Sequence, residues 1–204
     1  GMLLPVMNKA KEKARQSACL NQLKQIATGA IMYRDDNEEE MVPWTTLLVP
    51  DYISTSEVFH CPSDMWKNSD DTAAAAWLSR PDGKYTEAYE RPGNDKGLYG
   101  YDPNPDITKV SYFYECSYAE CTWNLADSGL SGSFTWSSLK EWQLNNGNGG
   151  DPYDTTMFPI VRCSWHLKDR NRVSSETNAP VLNISWAGGF FLSMNQWEDG
   201  VWTP

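Results

Sequence analysis

One unbroken stretch, MLLPVMNKAKEKARQSACLNQLKQIATGAIMYRDD from Met2 to Asp36, limits what this chain can become. Its one early breaker is Pro5, which a first helical turn tolerates, and the next is Gly29. As a single helix rising about 1.5 Å per residue it would reach roughly 50 Å. Apolar-periodic runs beyond about 25 residues point to a coiled coil, a membrane span or a repeat. In the second half Cys19, Leu20, Leu23, Ile26, Ala27, Ala30, Ile31 and Tyr33 share one stripe at three-and-four spacing, the pattern of a helix laid on a core. In the first half Leu3, Met7, Ala10 and Ala14 step the same way. The jump from Ala14 to Cys19 turns that stripe to roughly the opposite side. The first half therefore faces something other than the body.

Charge divides the chain at the same place. The net charge is −10, yet within residues 1–34 Lys9, Lys11, Lys13, Arg15, Lys24 and Arg34 meet only Glu12, so the acidity lies in the remainder. An acidic body argues against nucleic acid as a partner, because phosphate binding wants a basic surface. The basic rod could meet anionic headgroups or an acidic neighbour, or be a solvated face. With 204 residues the chain fits one domain, or one domain with an appended element, and it contains no apolar run of about 18 residues that would span a bilayer.

The later chain alternates irregular and extended segments. Asp35 to Glu40 is an acidic run; Val42 to Leu48 is apolar; Pro50-Asp51-Tyr52-Ile53 reads as a turn packing back on the rod. Asp70 to Leu78 reads as a short helix, and the Gly/Pro/Asn/Asp-rich stretch Arg80 to Asp106 as a long loop. Val110 to Tyr118, Phe158 to His166, Val181 to Trp186 and Phe190 to Trp197 read as strands, the last two joined through Ala187-Gly188-Gly189 in a hairpin. Ser138-Leu139-Lys140-Glu141 has capping-box spacing ahead of a brief helix. A long helix first and strands late predicts an α+β fold, the helix packed on a C-terminal antiparallel sheet with an irregular, loop-rich insert.

Four segments together resemble those of a known family. The rod sequence MLLPVMNKAKEKARQSACLNQLKQIATGAIMYRDDN, His60-Cys61-Pro62-Ser63-Asp64, FPIVRCSWH and VLNISWAGGFFLS resemble the segments that follow the apolar N-terminal helix in type II secretion pseudopilins. The likeness is to the set with MLLPALxKAREKA, CLNNLKQ, MYxxDN and a later CPSD. It implies a pilin-like fold, with residues 1–37 the C-terminal part of the pilin helix and 38–204 the globular domain. Gly1 reads as a tag remnant, with a processed leader and a membrane-spanning half-helix upstream of Met2. It further implies a non-enzymatic filament subunit, anchored in the inner membrane with a periplasmic or extracellular body, whose partners are its own copies and other pseudopilins. The sequence departs from many relatives in one respect: their His is followed closely by an Asp-Gly strand turn, whereas His166 is remote from Gly188-Gly189 and the acid position holds Ala187 or Gly188. No role tied to that acid carries over.

Candidate sites are few. Five cysteines with ten tryptophans and ten tyrosines suggest an oxidising compartment. With Cys19 on the apolar stripe as a small hydrophobe, Cys61, Cys116, Cys121 and Cys163 allow three pairings; Cys61 with Cys163 and Cys116 with Cys121 are favoured. The rival reading is a zinc site from His60, Cys61, Cys163 and His166, disfavoured because adjacent His and Cys side chains diverge from an extended backbone. No resident cofactor is expected, though Asp35 to Glu38, Asp70-Asp71 and Asp151 to Asp154 offer oxygen ligands that calcium could use. Trp66, Trp77, Trp123, Trp136 and Trp142 lie in or beside loops. That supports an alternative function, an anchored extracellular module stacking these indoles on carbohydrate, against the ordinary use of aromatics as core. With two histidines and no phosphate loop, HExxH or nucleophile elbow, no catalytic residues are expected.

Overall fold

The computed structural model describes residues 3–64, 97–107, 110–121, 128–147, 150–166, 181–194 and 197–199. The helix expected at Asp70–Leu78 and most of the loop that follows it lie outside them.

Helix α1 runs Leu3–Asp36, 34 residues, or about 50 Å. Its burial changes along its length. Val6, Met7, Ala10 and Ala14 are exposed, whereas Cys19, Leu23, Ile26, Ala27 and Ala30 are buried in the main core. Leu20 and Tyr33 pack on that core part-buried, and Ile31 lies over the β-hairpin turn at Gly188. The helix ends without a glycine. Glu38 and Glu39 take positive φ, and Glu39 N–H donates to Arg34 O at 3.0 Å, a backbone closure usually made with glycine. The chain then returns through the 3-10 turns Thr45–Leu48 and Ser56–Phe59, both against α1. Tyr52 stacks edge-on to Tyr33 at 5.6 Å, and Ile53 lies against Gly29.

Four strands, β1 Phe113–Tyr114, β2 Pro159–Cys163, β3 Val181–Ser185 and β4 Phe190–Ser193, form an antiparallel sheet in the order β1-β2-β3-β4. The fold is α+β. β1 is far shorter than its alternating sequence suggests, because the neighbouring amides serve loops instead: Ser111 N–H donates to Phe59 O and Tyr118 N–H to Pro43 O. A bulge between Pro159 and Val161 breaks the register of β2 with β3. The β3–β4 turn is closed by Gly188 at φ +79.

Helix α2, Trp136–Asn146, is capped three residues before the expected position: Thr135 Oγ1, not Ser138, accepts the capping bond, from Ser138 N–H at 3.0 Å. It stops at Gly147, where φ is +63 and a Cβ would lie 2.3 Å from Asp151 O.

The alternation of a strand gives the sheet two chemically different faces. Val161, Cys163, Leu182 and Ile184 belong to the core that α1 enters. Between them Arg162 and Asn183 pair across strands, Arg162 Nε donating to Asn183 Oδ1 at 2.9 Å. Arg162 continues to Glu115 at 3.1 Å, and Glu115 to Lys140 of α2 at 3.1 Å.

Candidate functional site

Where α1 leaves the body, four donor side chains converge. Cys19 heads the buried stripe of α1. Cys61 opens a β-turn closed by Asp64 N–H to Cys61 O at 3.0 Å, with Pro62 at the position whose fixed φ suits such a turn. Cys163 ends β2, and His166 follows three residues on. Their sulfur and nitrogen atoms all lie within 4.8 Å of one another. Cys61 Sγ is 3.6 Å from Cys163 Sγ and 3.5 Å from His166 Nε2. All three cysteines are fully buried and His166 is 6% exposed.

A second layer holds the imidazole. Glu12 lies seven residues before Cys19, two turns along the same face of α1, and its Oε1 is 2.7 Å from His166 Nδ1. A carboxylate there accepts, so Nδ1 carries a hydrogen and Nε2 faces the sulfurs. Ser63 Oγ donates to Glu12 at 3.3 Å, and Ser63 N–H to Cys61 Sγ at 3.4 Å.

The protonation of this cluster is uneven. Burial pushes the Cys163 thiol well above its ordinary value. Burial acts on Cys61 in the same direction, but hydrogen bonds with Cys163, Cys19 and His166, and the charge of His166, outweigh it and hold that thiol far below. For His166 burial favours the neutral ring, and Cys61 and Glu12 overcome it, raising its pKa. A cysteine beside a histidine can act as a nucleophile, but these sulfurs have no solvent-facing surface with which to meet a substrate. Three sulfurs and one imidazole are instead a donor set for a metal ion. Among the described residues this is the one group of three or more Cys, His, Asp or Glu side chains placed to hold one.

The disulfide expectation needs correction. All five cysteines are free thiols. Cys61 and Cys163 do adjoin, but at 3.6 Å against about 2.05 Å for a disulfide, with Cys19 and His166 sharing the site. Cys116 belongs to the α1 core, and Cys121 to a separate cluster with Trp44, Trp136 and Leu139. Of the four residues in the zinc set read from the sequence, Cys61, Cys163 and His166 converge and one does not. His60 is half-exposed and outside the cluster, and Cys19, assigned to inert packing, takes its place. An odd cysteine on a helix stripe, together with Cys163-x-x-His166, was the available signal.

Other expected sites fare differently. Met7, Ala10 and Ala14 of the proposed assembly face are exposed on α1, and Leu3 lies in its first turn. Asp35 and Asp36 are exposed, Asp36 accepting from Tyr52 OH at 3.1 Å; Asp154 accepts from Thr156 N–H and Oγ1 at 2.8 Å. Asp70-Asp71, Trp66, Trp77 and Trp123 lie outside the described residues. Trp136 is not a surface indole: it is 1% exposed, packed with Trp44 and Leu139, and Trp142 is half-buried. Among the described residues the exposed aromatics are Tyr99, Tyr101 and Phe190. Tyr99 and Tyr101 line a cleft of about 350 Å³ with Tyr118, Glu40, Glu141 and Ser138.

A second buried polar group went unpredicted. Lys140, 2% exposed, reaches Glu115 at 3.1 Å, Gln143 at 3.1 Å and Glu198 at 3.8 Å, with its ammonium 5.2 Å from the Trp197 ring centre. Burial alone would lower its pKa, but the Glu115 and Glu198 carboxylates raise it.

Searches of protein-family models, of curated proteins and of solved structures returned no match to this chain.

Proposed function

We propose that this protein is a structural subunit of a type II secretion pseudopilus or a related type IV pilin-like filament, assembling through its N-terminal helix. The observation that carries the reading is the division of α1. Its later turns are core, while its first turns stand outside the body with Val6 65% and Met7 62% exposed. A monomer gains nothing by extending a regular helix beyond its core, since isolated helices are marginal in water. A fibre does, because sister helices cover one another. Ala10 and Ala14 lie on the Met7 face, and small residues there permit close helix approach.

No described helix is long and apolar enough to cross a membrane. The anchoring half-helix and the inner-membrane location therefore rest on the family resemblance. The experiment is to express the full-length gene in its own host with Ala10→Glu and Ala14→Glu, and to probe sheared or detergent-extracted fibres with antibody to the body. Loss of the subunit from fibres at unchanged cellular level is expected. Undiminished incorporation would refute assembly through this face.

The tyrosine cleft supports the carbohydrate-binding reading in altered form, with Tyr99 and Tyr101 rather than tryptophans as stacking platforms. Affinity electrophoresis through plant and mucin glycans tests it. Retardation abolished by Tyr99→Ala would favour a binding module, and free migration would dismiss it.

A further inference from the structure

We propose that Cys19, Cys61, Cys163 and His166 bind one zinc ion in a closed tetrahedral site, and that this ion clamps α1 to the body where the helix emerges. The inference stands on the donor geometry and is independent of the filament reading.

The spacing fits the metal. With sulfur at about 2.3 Å and imidazole nitrogen at about 2.0–2.1 Å, a tetrahedral zinc site sets neighbouring ligand atoms about 3.5–3.8 Å apart. Cys61 Sγ to Cys163 Sγ is 3.6 Å and Cys61 Sγ to His166 Nε2 is 3.5 Å. Apolar packing would not need a histidine there, and a disulfide would use only two of the three sulfurs. Each polar atom of the ring already has an assignment that a metal completes: Nδ1 faces Glu12 and Nε2 faces the thiols.

The donor chemistry narrows the ion. Soft thiolates exclude calcium and magnesium, which take oxygen, and a set of three sulfurs with one imidazole is a structural zinc set. The ligands bind as thiolates and a neutral imidazole, so binding releases to solvent whatever protons the three cysteines and His166 Nε2 still carry, and His166 ligates through Nε2. Four protein ligands leave no open position for water or substrate, so the ion is structural.

Glu12 is the positioning residue. A carboxylate on the far nitrogen of a zinc-ligating histidine fixes its tautomer and ring orientation. Because Glu12 and Cys19 both belong to α1, the ion holds the helix directly at Cys19 and, through His166, two turns nearer its exposed end. The metal thereby fixes the direction in which the projecting part of α1 leaves the body. The turn at Cys61 and the end of β2 at Cys163 supply the fixed side of the clamp.

The test uses the whole chain, purified without chelator and exchanged into metal-free buffer. Elemental analysis should find about one zinc per chain, retained in Cys121→Ser and lost in Cys19→Ser and Cys163→Ser. Glu12→Gln should keep the metal but surrender it to a competing chromogenic chelator at roughly tenfold to a hundredfold lower chelator concentration. Because Cys19→Ser also disturbs a core position, cobalt(II) reconstitution of the unaltered chain is the independent check. Intense sulfur-to-cobalt charge transfer with tetrahedral visible bands supports the site, and the pale spectrum of octahedral cobalt overturns it. Folded protein free of metal, a Cys61–Cys163 disulfide found by peptide mapping, or full zinc occupancy in Cys19→Ser would each overturn it as well.

Discussion

The two faces of the sheet bury polar groups by opposite strategies. Under α2, Lys140 and Arg162 meet Glu115 and Glu198, so each charge has a counter-charge from the chain itself. Facing α1, three thiols and an imidazole gather around one point with Glu12 behind them. In the proposed site a bound metal supplies the positive charge that balances the gathered thiolates. Each face therefore draws its stability from a different source. One face is complete when the chain has folded, while the other depends on a component that the solution must provide.

Removal of the metal should cost the protein most. Stripping the metal with a strong chelator should lower stability by more than about 4 kcal/mol, the contribution of a ligand present at a thousand times its dissociation constant. Denaturant melts with and without chelator would record it, and hydrogen exchange should rise first in α1 around Cys19. The same chelator should leave the bonds of Lys140 untouched.

Lys140→Met attacks the other face. It leaves Glu115 buried against Arg162 alone, and breaking such a buried pair costs about 3–5 kcal/mol. This loss should be the same at every zinc concentration, and adding Glu115→Gln should return part of it. The ion pair also predicts a pH signature. Lys140 has a folded pKa raised above its ordinary value, so its stabilisation is complete below the unfolded lysine pKa of about 10.4 and is lost as pH climbs through the folded value. The wild-type protein should show this alkaline loss over and above that of Lys140→Met. Parallel pH–stability curves would refute the pairing.

Glu12→Gln sharpens the contrast more gently. A tenfold to hundredfold fall in zinc affinity corresponds to about 1.4–2.7 kcal/mol, and denaturant melts should show it in full at saturating zinc and not at all in the metal-free chain. Ala10→Glu with Ala14→Glu should matter least to the monomer, within about 0.5 kcal/mol by thermal melting, because both sites are exposed. A larger loss would mean that the emerging turns of α1 are packed on something in the monomer.

Periodicity exposed much of this architecture and little of its chemistry. The stripe from Cys19 to Tyr33 marks the buried half of α1, because a helix in contact with a core repeats its apolar side chains every three or four residues. β3 and β4 were legible for the matching reason at period two. β1 was overread, since aromatic alternation records burial but not which amides find strand partners. The start of α2 was misplaced because Ser138 and Glu141 imitate a capping box inside a helix already capped by Thr135. Convergence of residues 19, 61, 163 and 166 is a tertiary event that no local pattern encodes. Neighbouring His60 and Cys61 drew the zinc reading toward the wrong histidine, and an apolar helix position hid Cys19. Lys140 was equally hidden, although it lies one turn from Trp136 and one from Gln143 or Leu144 on the buried stripe of α2, where a lysine calls for a counter-ion.

The most direct measurement is the zinc K-edge X-ray absorption spectrum of the intact protein. Three sulfur scatterers at about 2.3 Å and one nitrogen at about 2.0–2.1 Å are the predicted shell. A shell of oxygen and nitrogen alone, or one with fewer sulfurs than Cys19, Cys61 and Cys163 provide, would contradict the clamp.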